Sequence, residues 1–359
     1  MNRLSVSAPG RVCLFGEHQD YLYLPVIAAA ISKRFFVEGS KRKDKHINIS
    51  LTDLNSSESF ELSEIIPYSL ERDYLKSCIN VLMREGFTFS KGFDITMRGN
   101  IPINAGTSSS SAMIIAWINF LTQMSDQKKA LDRKEIANLG YKSEVLEFSE
   151  PGGMMDQYTT SIGGVIWLES FPEIQIESIN PKLSAIVLGN SEEPKDTKFI
   201  LSRVKKGVIN AVNDLKKKNP EFSLQNIRLE ELDRYRSELN QEQLELLHGT
   251  IRNRDITFEA RQVLISEPIN HQRIGRLMNE HQNVLRDVLH ISTPKIDKMI
   301  DAALNAGAYG AKINGSGGGG CMFAYAPDNT ETVLEAVKTV APESWIVNVD
   351  DGTKNGEVV

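Results

Sequence analysis

Residues Pro102 to Met113 read PINAGTSSSSAM, and no other stretch restricts the fold as tightly. A glycine at 106, a threonine and four consecutive serines run directly into an apolar helical pattern. Met113, Trp117, Leu121 and Met124 share one face of it, with Ile114 and Ile118 alongside. Just upstream, FDITMRG (Phe93 to Gly99) alternates apolar and polar residues, as a half-buried strand does. Strand, small-residue loop and helix start together form an arrangement able to hold a phosphate. Small side chains let backbone N–H groups approach the anion, and the helix N-terminus adds about half a positive charge. An ordinary helix N-cap behind a serine linker fits the same residues. The P-loop pattern G-x-x-x-x-G-K-[ST] is not met, because no lysine follows. A nucleotide bound here is bound in some other way.

A chain of 359 residues is long for one core, so two domains are expected. The polar, proline-flanked segment Pro172–Pro181 is the natural divide, giving residues 1–175 and 176–359. Apolar content of 41% and charged content of 25% are those of a soluble globular protein. The net charge of −6 leaves no basic surplus for nucleic acid or an anionic membrane. MNRLSVSAPGRV has no apolar core long enough for a signal peptide. The uncharged run Gly99–Ser125 contains a proline, glycines and many hydroxyls, and its apolar part is too short to span a bilayer. Cys13, Cys78 and Cys321 are odd in number and lack metal spacing, which fits a reducing cytoplasm. The expectation is a cytoplasmic monomer or homodimer with no nucleic-acid or membrane partner.

In chain order, Ser5–Phe15 reads as two strand pieces broken at Pro9-Gly10, and 25–31, 35–38 and 46–51 are strand-like. Residues 68–85 and 133–146 look helical, and GGVIWLE is a strand. From 198 to 265 the pattern is helical and highly charged, with Pro220 and Gly249 as breaks. Further helices fit 268–289 and 294–306, the latter opened by Ser292-Thr293-Pro294 and closed at Gly307. AYGAKINGSGGGGCMFAYAP reads as strand, glycine-rich loop, strand.

Three stretches are dense in small or reactive residues: 8–25, 102–113 and 312–321. GSGGGG alone fits a tight hairpin or a hinge, because glycine permits positive φ and close approach. Two such loops in one chain suggest a polyanion held between them. GEHQDY packs Glu17, His18 and Asp20 together, either as a polar surface loop or as acceptors for a polyhydroxylated ligand. Zinc at His18 is disfavoured, since neither H-E-x-x-H nor a cysteine partner is present. Asp156, within PGGMMDQ, is either a turn or cap aspartate or a buried carboxylate beside a cation. Glu144 could reach a metal shared with a phosphate, because Mg²⁺ in such sites takes only one or two protein ligands.

APGRVCLFGEHQDY, IPINAGTSSSSAM and AKINGSGGGGCMF resemble, in order, the three motifs of the galactokinase, homoserine kinase, mevalonate kinase and phosphomevalonate kinase (GHMP kinase) superfamily. Galactokinases are the nearest members, through GGMMDQY and through LMNEHQNVLRD ahead of the glycine loop. The resemblance covers nearly the whole chain and is weakest around 215–255. It implies an α+β, two-lobed fold: an N-terminal lobe like domain 2 of ribosomal protein S5, a ferredoxin-like C-terminal lobe, and the active site between them. It implies transfer of the γ-phosphoryl of ATP, with Mg²⁺, to the anomeric hydroxyl of a sugar, galactose favoured. By matching position, Asp156 is the catalytic aspartate and Arg11 its cationic partner. Glu17, His18, Asp20 and Gly153 contact the sugar. Gly106, Ser108, Ser109 and Ser110, with Gly315, Gly317 and Gly318, cradle the ATP phosphates, while Ser110 and Glu144 bind Mg²⁺. Tyr74 and Lys76 are available to the base.

The chain departs from the galactokinase pattern in four places. The loop after Asp20-Tyr21 is shorter, and KDTKFILSRVKK stands where galactokinases have Ser-Glu-Tyr followed by arginines. Ser111 replaces an alanine; its hydroxyl is expected to cap the helix or bond back to a carbonyl at small cost. GSGGGG is nearer the mevalonate and heptose kinase form. The alternatives are therefore a heptose, a hexuronic acid or another hexose, or a sugar sensor without turnover. Mevalonate is disfavoured, because the acidic GEH-x-D cluster would repel its carboxylate unless a cation intervened.

Overall fold

The computed structural model describes residues 3–179, 181–194 and 197–356. β1 (Arg3–Phe15) and β2 (Val26–Lys41) are longer than most strands and pair antiparallel along their length. Pro9-Gly10 does not split β1. The register shifts there instead, so the donor that proline lacks falls where pairing is already interrupted. The two pieces expected at 25–31 and 35–38 likewise join into β2. β3 (His46–Leu51) pairs with β4 (Ser56–Glu61), an edge strand whose mostly polar residues gave no apolar signal. After α1 (Tyr74–Arg84), β5 (Phe93–Gly99) inserts between β2 and β3.

α2 (Ser109–Met124) is buried on nearly every side, as an almost uninterrupted apolar sequence requires. Trp117 stacks on Phe120 with ring centroids 5.5 Å apart, and its indole N–H donates to the Leu75 carbonyl (3.1 Å). α3 (Arg133–Tyr141) opens with a capping box of Asp132 and Glu135 and runs into a π-helical turn at Lys142–Leu146. α4 (Met155–Ile162) follows, then β6 (Val165–Glu169), which pairs with β2, and β7 (Gln175–Ile179), which pairs with β6.

The chain then enters a second, antiparallel sheet at β8 (Ile186–Asn190). α5 (Thr197–Lys218) and a 3₁₀ stretch at Leu229–Glu238 lead to α6 (Gln241–Leu264), α7 (His271–Asp287) and α8 (Pro294–Asn305). Gly249 does not break α6. A Cβ there would lie 2.8 Å from Val288 Cγ1, so this glycine lets the segment after α7 pack closely. β9 (Gly310–Ile313), β10 (Cys321–Tyr325), α9 (Thr330–Lys338) and β11 (Ser344–Val347) complete the lobe, whose strand order is β11-β8-β10-β9. β12 (Lys354–Asn355) returns to pair with β1. The large sheet thus holds residues on both sides of the division expected at 175/176. Lys195 and Asp196 of KDTKFILSRVKK, and residues 357–359, lie outside the described residues. No helix among the described residues is long and apolar enough to cross a membrane.

Candidate active site

The serine loop links β5 to α2. Gly106 (φ 83°) and Ser108 (φ 59°) adopt left-handed conformations, and Ser108 occupies the N-cap position without capping through its side chain. Its hydroxyl is buried without a hydrogen-bond partner. An N-cap normally has an extended backbone and a side chain that accepts an orphan N–H. That role is unfilled here, which leaves the helix N-terminus free for an anion.

The glycine loop between β9 and β10 meets the serine loop directly. Asn314 Nδ2 donates to the Gly106 carbonyl (2.9 Å), and the Cys321 amide donates to the Ala105 carbonyl (2.7 Å). Gly315 has φ 75°, and a Cβ on it would lie 2.9 Å from the Gly106 carbonyl oxygen. Gly106, Ser108, Ser109, Ser110, Gly315 and Ser316 line one cleft. Gly317 and Gly318, assigned above to the phosphates, do not line it. The Gly318 amide donates to the Ile291 carbonyl (2.7 Å), and a Cβ on Gly317 would lie 2.5 Å from Ile291 Cβ. This part of the loop is spent on packing.

Arg11, on β1, reaches the same cleft with only 5% of its side chain exposed. Nε (2.8 Å) and Nη2 (2.7 Å) both donate to Asp156 Oδ1, in the first turn of α4, while Nη1 donates to the Gly106 carbonyl. Burial opposes the guanidinium charge, but Asp156 outweighs it and raises the Arg11 pKa. Both Arg11 contacts to the carboxylate fall on Oδ1, so Oδ2 is left for a ligand.

The π-helical turn carries Glu144 toward the start of α2. Its carboxylate accepts from Ser110 Oγ (2.7 Å), Ser111 Oγ (2.7 Å) and Gln157 Nε2 (2.6 Å). Burial pushes the Glu144 carboxyl upward, against hydrogen bonds from Gln157, Ser110 and Ser111. Ser111 therefore supports Glu144 instead of bonding a backbone carbonyl, and the expectation for it is corrected. Among the described residues no group of three or more His, Cys, Asp and Glu could hold a metal alone. One carboxylate and one hydroxyl, beside a helix N-terminus open to phosphate oxygens, fit the sparse protein ligand set that Mg²⁺ takes when it is shared with phosphates. Ser110→Ala is expected to lower kcat about 10–100-fold and to raise the Mg²⁺ concentration for half-activity. Ser111→Ala should lower kcat only about threefold, because Gln157 still donates to the same oxygen. A Mg²⁺ titration of each variant checks both, and equal losses would sink this assignment.

At the other end of the cleft, half-buried Asp20 accepts from the Tyr21 amide at Oδ1 (2.9 Å) and the Met155 amide at Oδ2 (3.1 Å). Burial raises its pKa, and these amides partly offset the rise. A Cβ on Gly153 would overlap this carboxylate. Both ring nitrogens of His18 are engaged, Nδ1 with Tyr21 Oη (2.6 Å) and Nε2 with the Ser316 carbonyl (3.0 Å). A carbonyl only accepts, so this network assigns the proton to Nε2, and Nδ1 accepts from Tyr21. His18 thus ties the GEHQDY segment to the glycine loop.

Glu17 is buried and ion-paired with Lys312, which reasoning from sequence missed. A lysine on a strand normally reads as a solvent-facing residue; the signal was its place between apolar neighbours just ahead of the glycine loop. A cation does intervene in the acidic cluster, and the objection to a carboxylate-bearing acceptor loses its force. Lys76 is occupied by Asp73 (2.8 Å) and Glu58 (3.1 Å), so of the two side chains available to the base only Tyr74 lines the cleft. From KDTKFILSRVKK, Leu201 lines it.

Comparison with known proteins gives three matches to family descriptions. Residues 73–164 match "GHMP kinases N terminal domain", 262–343 match "GHMP kinases C terminal", and 2–41 match "Galactokinase galactose-binding signature". The chain is 30% identical to the mevalonate kinase of Pyrococcus furiosus, across 99% of each chain. It is 27% identical to the galactokinase of Actinobacillus succinogenes, across 95% of this chain and 89% of that one. Among solved structures, Lactococcus lactis galactokinase complexed with galactose superposes with a TM-score of 0.88 at 23% identity, covering 98% of this chain and 95% of that one. Methanococcus jannaschii mevalonate kinase gives 0.74 at 22%, covering 97% and 99%.

Proposed function

The chain belongs to the GHMP kinase family, phosphotransferases that use ATP and Mg²⁺ with an alcohol acceptor, and from that premise we propose that it is a sugar 1-kinase with galactose the favoured acceptor. The observation that carries the reading is the Arg11–Asp156 pair, in one cleft with the serine loop and the segment matching the galactose-binding signature. Asp156 Oδ2 accepts, or orients, the proton of the acceptor hydroxyl. Arg11 fixes Oδ1 and brings positive charge to the point where the transferred group develops negative charge. Asp20, seated over Gly153, orders the sugar hydroxyls. Bound MgATP supplies the phosphoryl group and its neutralising metal. Three buried unpaired cysteines suit a cytoplasmic protein.

A second reading, mevalonate as acceptor, is favoured by the 30% identity to a mevalonate kinase and by the Lys312 charge beside Glu17. ADP release coupled to a reporter, run with galactose, other hexoses, hexuronic acids, heptoses and mevalonate, decides between them. Galactose turnover yielding the 1-phosphate is expected. Turnover of mevalonate alone would replace this reading with the second. Calorimetric sugar binding without transfer would make the protein a sensor.

A further inference from the structure

We propose that Lys312 is a positioning residue of the acceptor site, fixing the Glu17 carboxylate from the opposite lobe. The inference rests on the reading above in one respect, that Glu17 receives an acceptor hydroxyl. Lys312 lies on β9 of the second lobe and is fully buried, while Glu17 follows β1 of the first. Its ammonium donates to Glu17 Oε1, the Cys13 carbonyl (3.2 Å) and the Ile313 carbonyl (2.9 Å). Three donors meet three acceptors, so the group is satisfied without water. A buried charge is tolerated only when paired and hydrogen-bonded in this way.

Glu17 itself is left half-satisfied. Its second oxygen, Oε2, is buried and accepts no hydrogen bond, although Glu17 borders the cleft. The nearby ring of His281 does not supply one. Nδ1 lies 3.7 Å from Oε2, and neither ring nitrogen is hydrogen-bonded. That ring stacks on Phe15 with centroids 6.1 Å apart. Burial, then the Lys312 charge, hold its pKa well down, so it stays neutral and adds no second cation. One carboxylate therefore faces one cation, with a single buried acceptor oxygen unmatched. A buried unmatched acceptor is costly, so the Lys312 ammonium alone compensates this carboxylate and holds it at the border of the cleft.

This division of labour separates Lys312 from a purely structural lysine. Without the ammonium, the carboxylate is uncompensated and free to turn away from the cleft. The serine loop does not touch Lys312 in any hydrogen bond described, so the phosphate end should be spared.

The test is Lys312→Met in the full chain, with steady-state kinetics on the acceptor that the wild type phosphorylates. The acceptor KM should rise about tenfold, with the ATP KM changed less than about twofold. Lys312→Arg should recover part of that loss. The double variant Glu17→Gln/Lys312→Met removes both charges, so its thermal midpoint should recover relative to Lys312→Met while its acceptor KM stays raised. An unchanged acceptor KM in Lys312→Met would overturn the proposal. If that variant does not fold, an unchanged acceptor KM in the double variant would overturn it. Equal rises in the acceptor and ATP KM would also do so, by marking a structural role. Turnover of mevalonate alone would sink the sugar reading and leave this test intact. If the wild type turns over nothing, calorimetric galactose affinity replaces KM, and absence of binding overturns both.

Discussion

Asp156→Asn is expected to lower kcat by about 10²–10⁴-fold, the range for losing a positioned general base. Asparagine retains an Oδ1 that can accept from Arg11 Nε and Nη2, so the pair's geometry survives. What changes is the other arm. Oδ2, the oxygen that Arg11 does not hold, becomes an amide that donates where the acceptor hydroxyl must also donate. Arg11, 5% exposed, loses its countercharge, so thermal stability should fall as well. The two effects separate experimentally: stability is read by thermal unfolding, and kcat at a temperature where the variant is folded. Arg11→Lys is the companion variant. Lysine keeps the charge, but it cannot span Asp156 and the Gly106 carbonyl as the guanidinium fork does. Retention of kcat within about tenfold in Asp156→Asn would remove Asp156 from the role of base.

The serine loop and the strand–glycine loop–strand were legible because each depends on residues adjacent in sequence, whereas the Arg11–Asp156 pair, 145 residues apart, was expected only from the family resemblance. What escaped depends on distant partners. Ser111 looked like a helix-start hydroxyl, and only the π-helical turn that brings Glu144 against α2 gives it a partner. Consecutive glycines are indistinguishable in a string. The Ile291 carbonyl, from the segment after α7, decides that Gly315 borders the cleft while Gly318 is used for packing. Lys312 was missed for the same reason, since burial of a lysine is set by the acid it meets across the lobes. The same limit explains the fold-level differences. Gly249 reads as a breaker until its close packing on Val288 is known, and Pro9-Gly10 reads as a strand end until β2 is seen to carry the shift.

Gly153→Ala should reduce kcat/KM for the acceptor about hundredfold, the loss typical of a reacting group misplaced by about an ångström. Backbone conformation is not the reason. Gly153 is absent from the positive-φ glycines, so alanine is acceptable there on torsional grounds. The obstacle is Asp20, whose carboxylate occupies the space of the missing side chain. That carboxylate is only partly exposed and is held by the Tyr21 and Met155 amides, so making room for a methyl means giving up those hydrogen bonds. Either Asp20 leaves those amides and gives up both hydrogen bonds, or the PGGMMDQ segment moves outward and takes Asp156 with it. Both outcomes fall on the acceptor, and the ATP KM should change little because the serine loop is untouched. Gly152 provides the internal control: a Cβ there would meet nothing within 4 Å, so Gly152→Ala adds the same methyl to the same turn without the collision. Its kcat/KM should stay within about threefold of the wild type, well inside the hundredfold expected next door. Similar losses from the two variants would show that the turn's flexibility matters to catalysis, and that the seating of Asp20 over Gly153 does not.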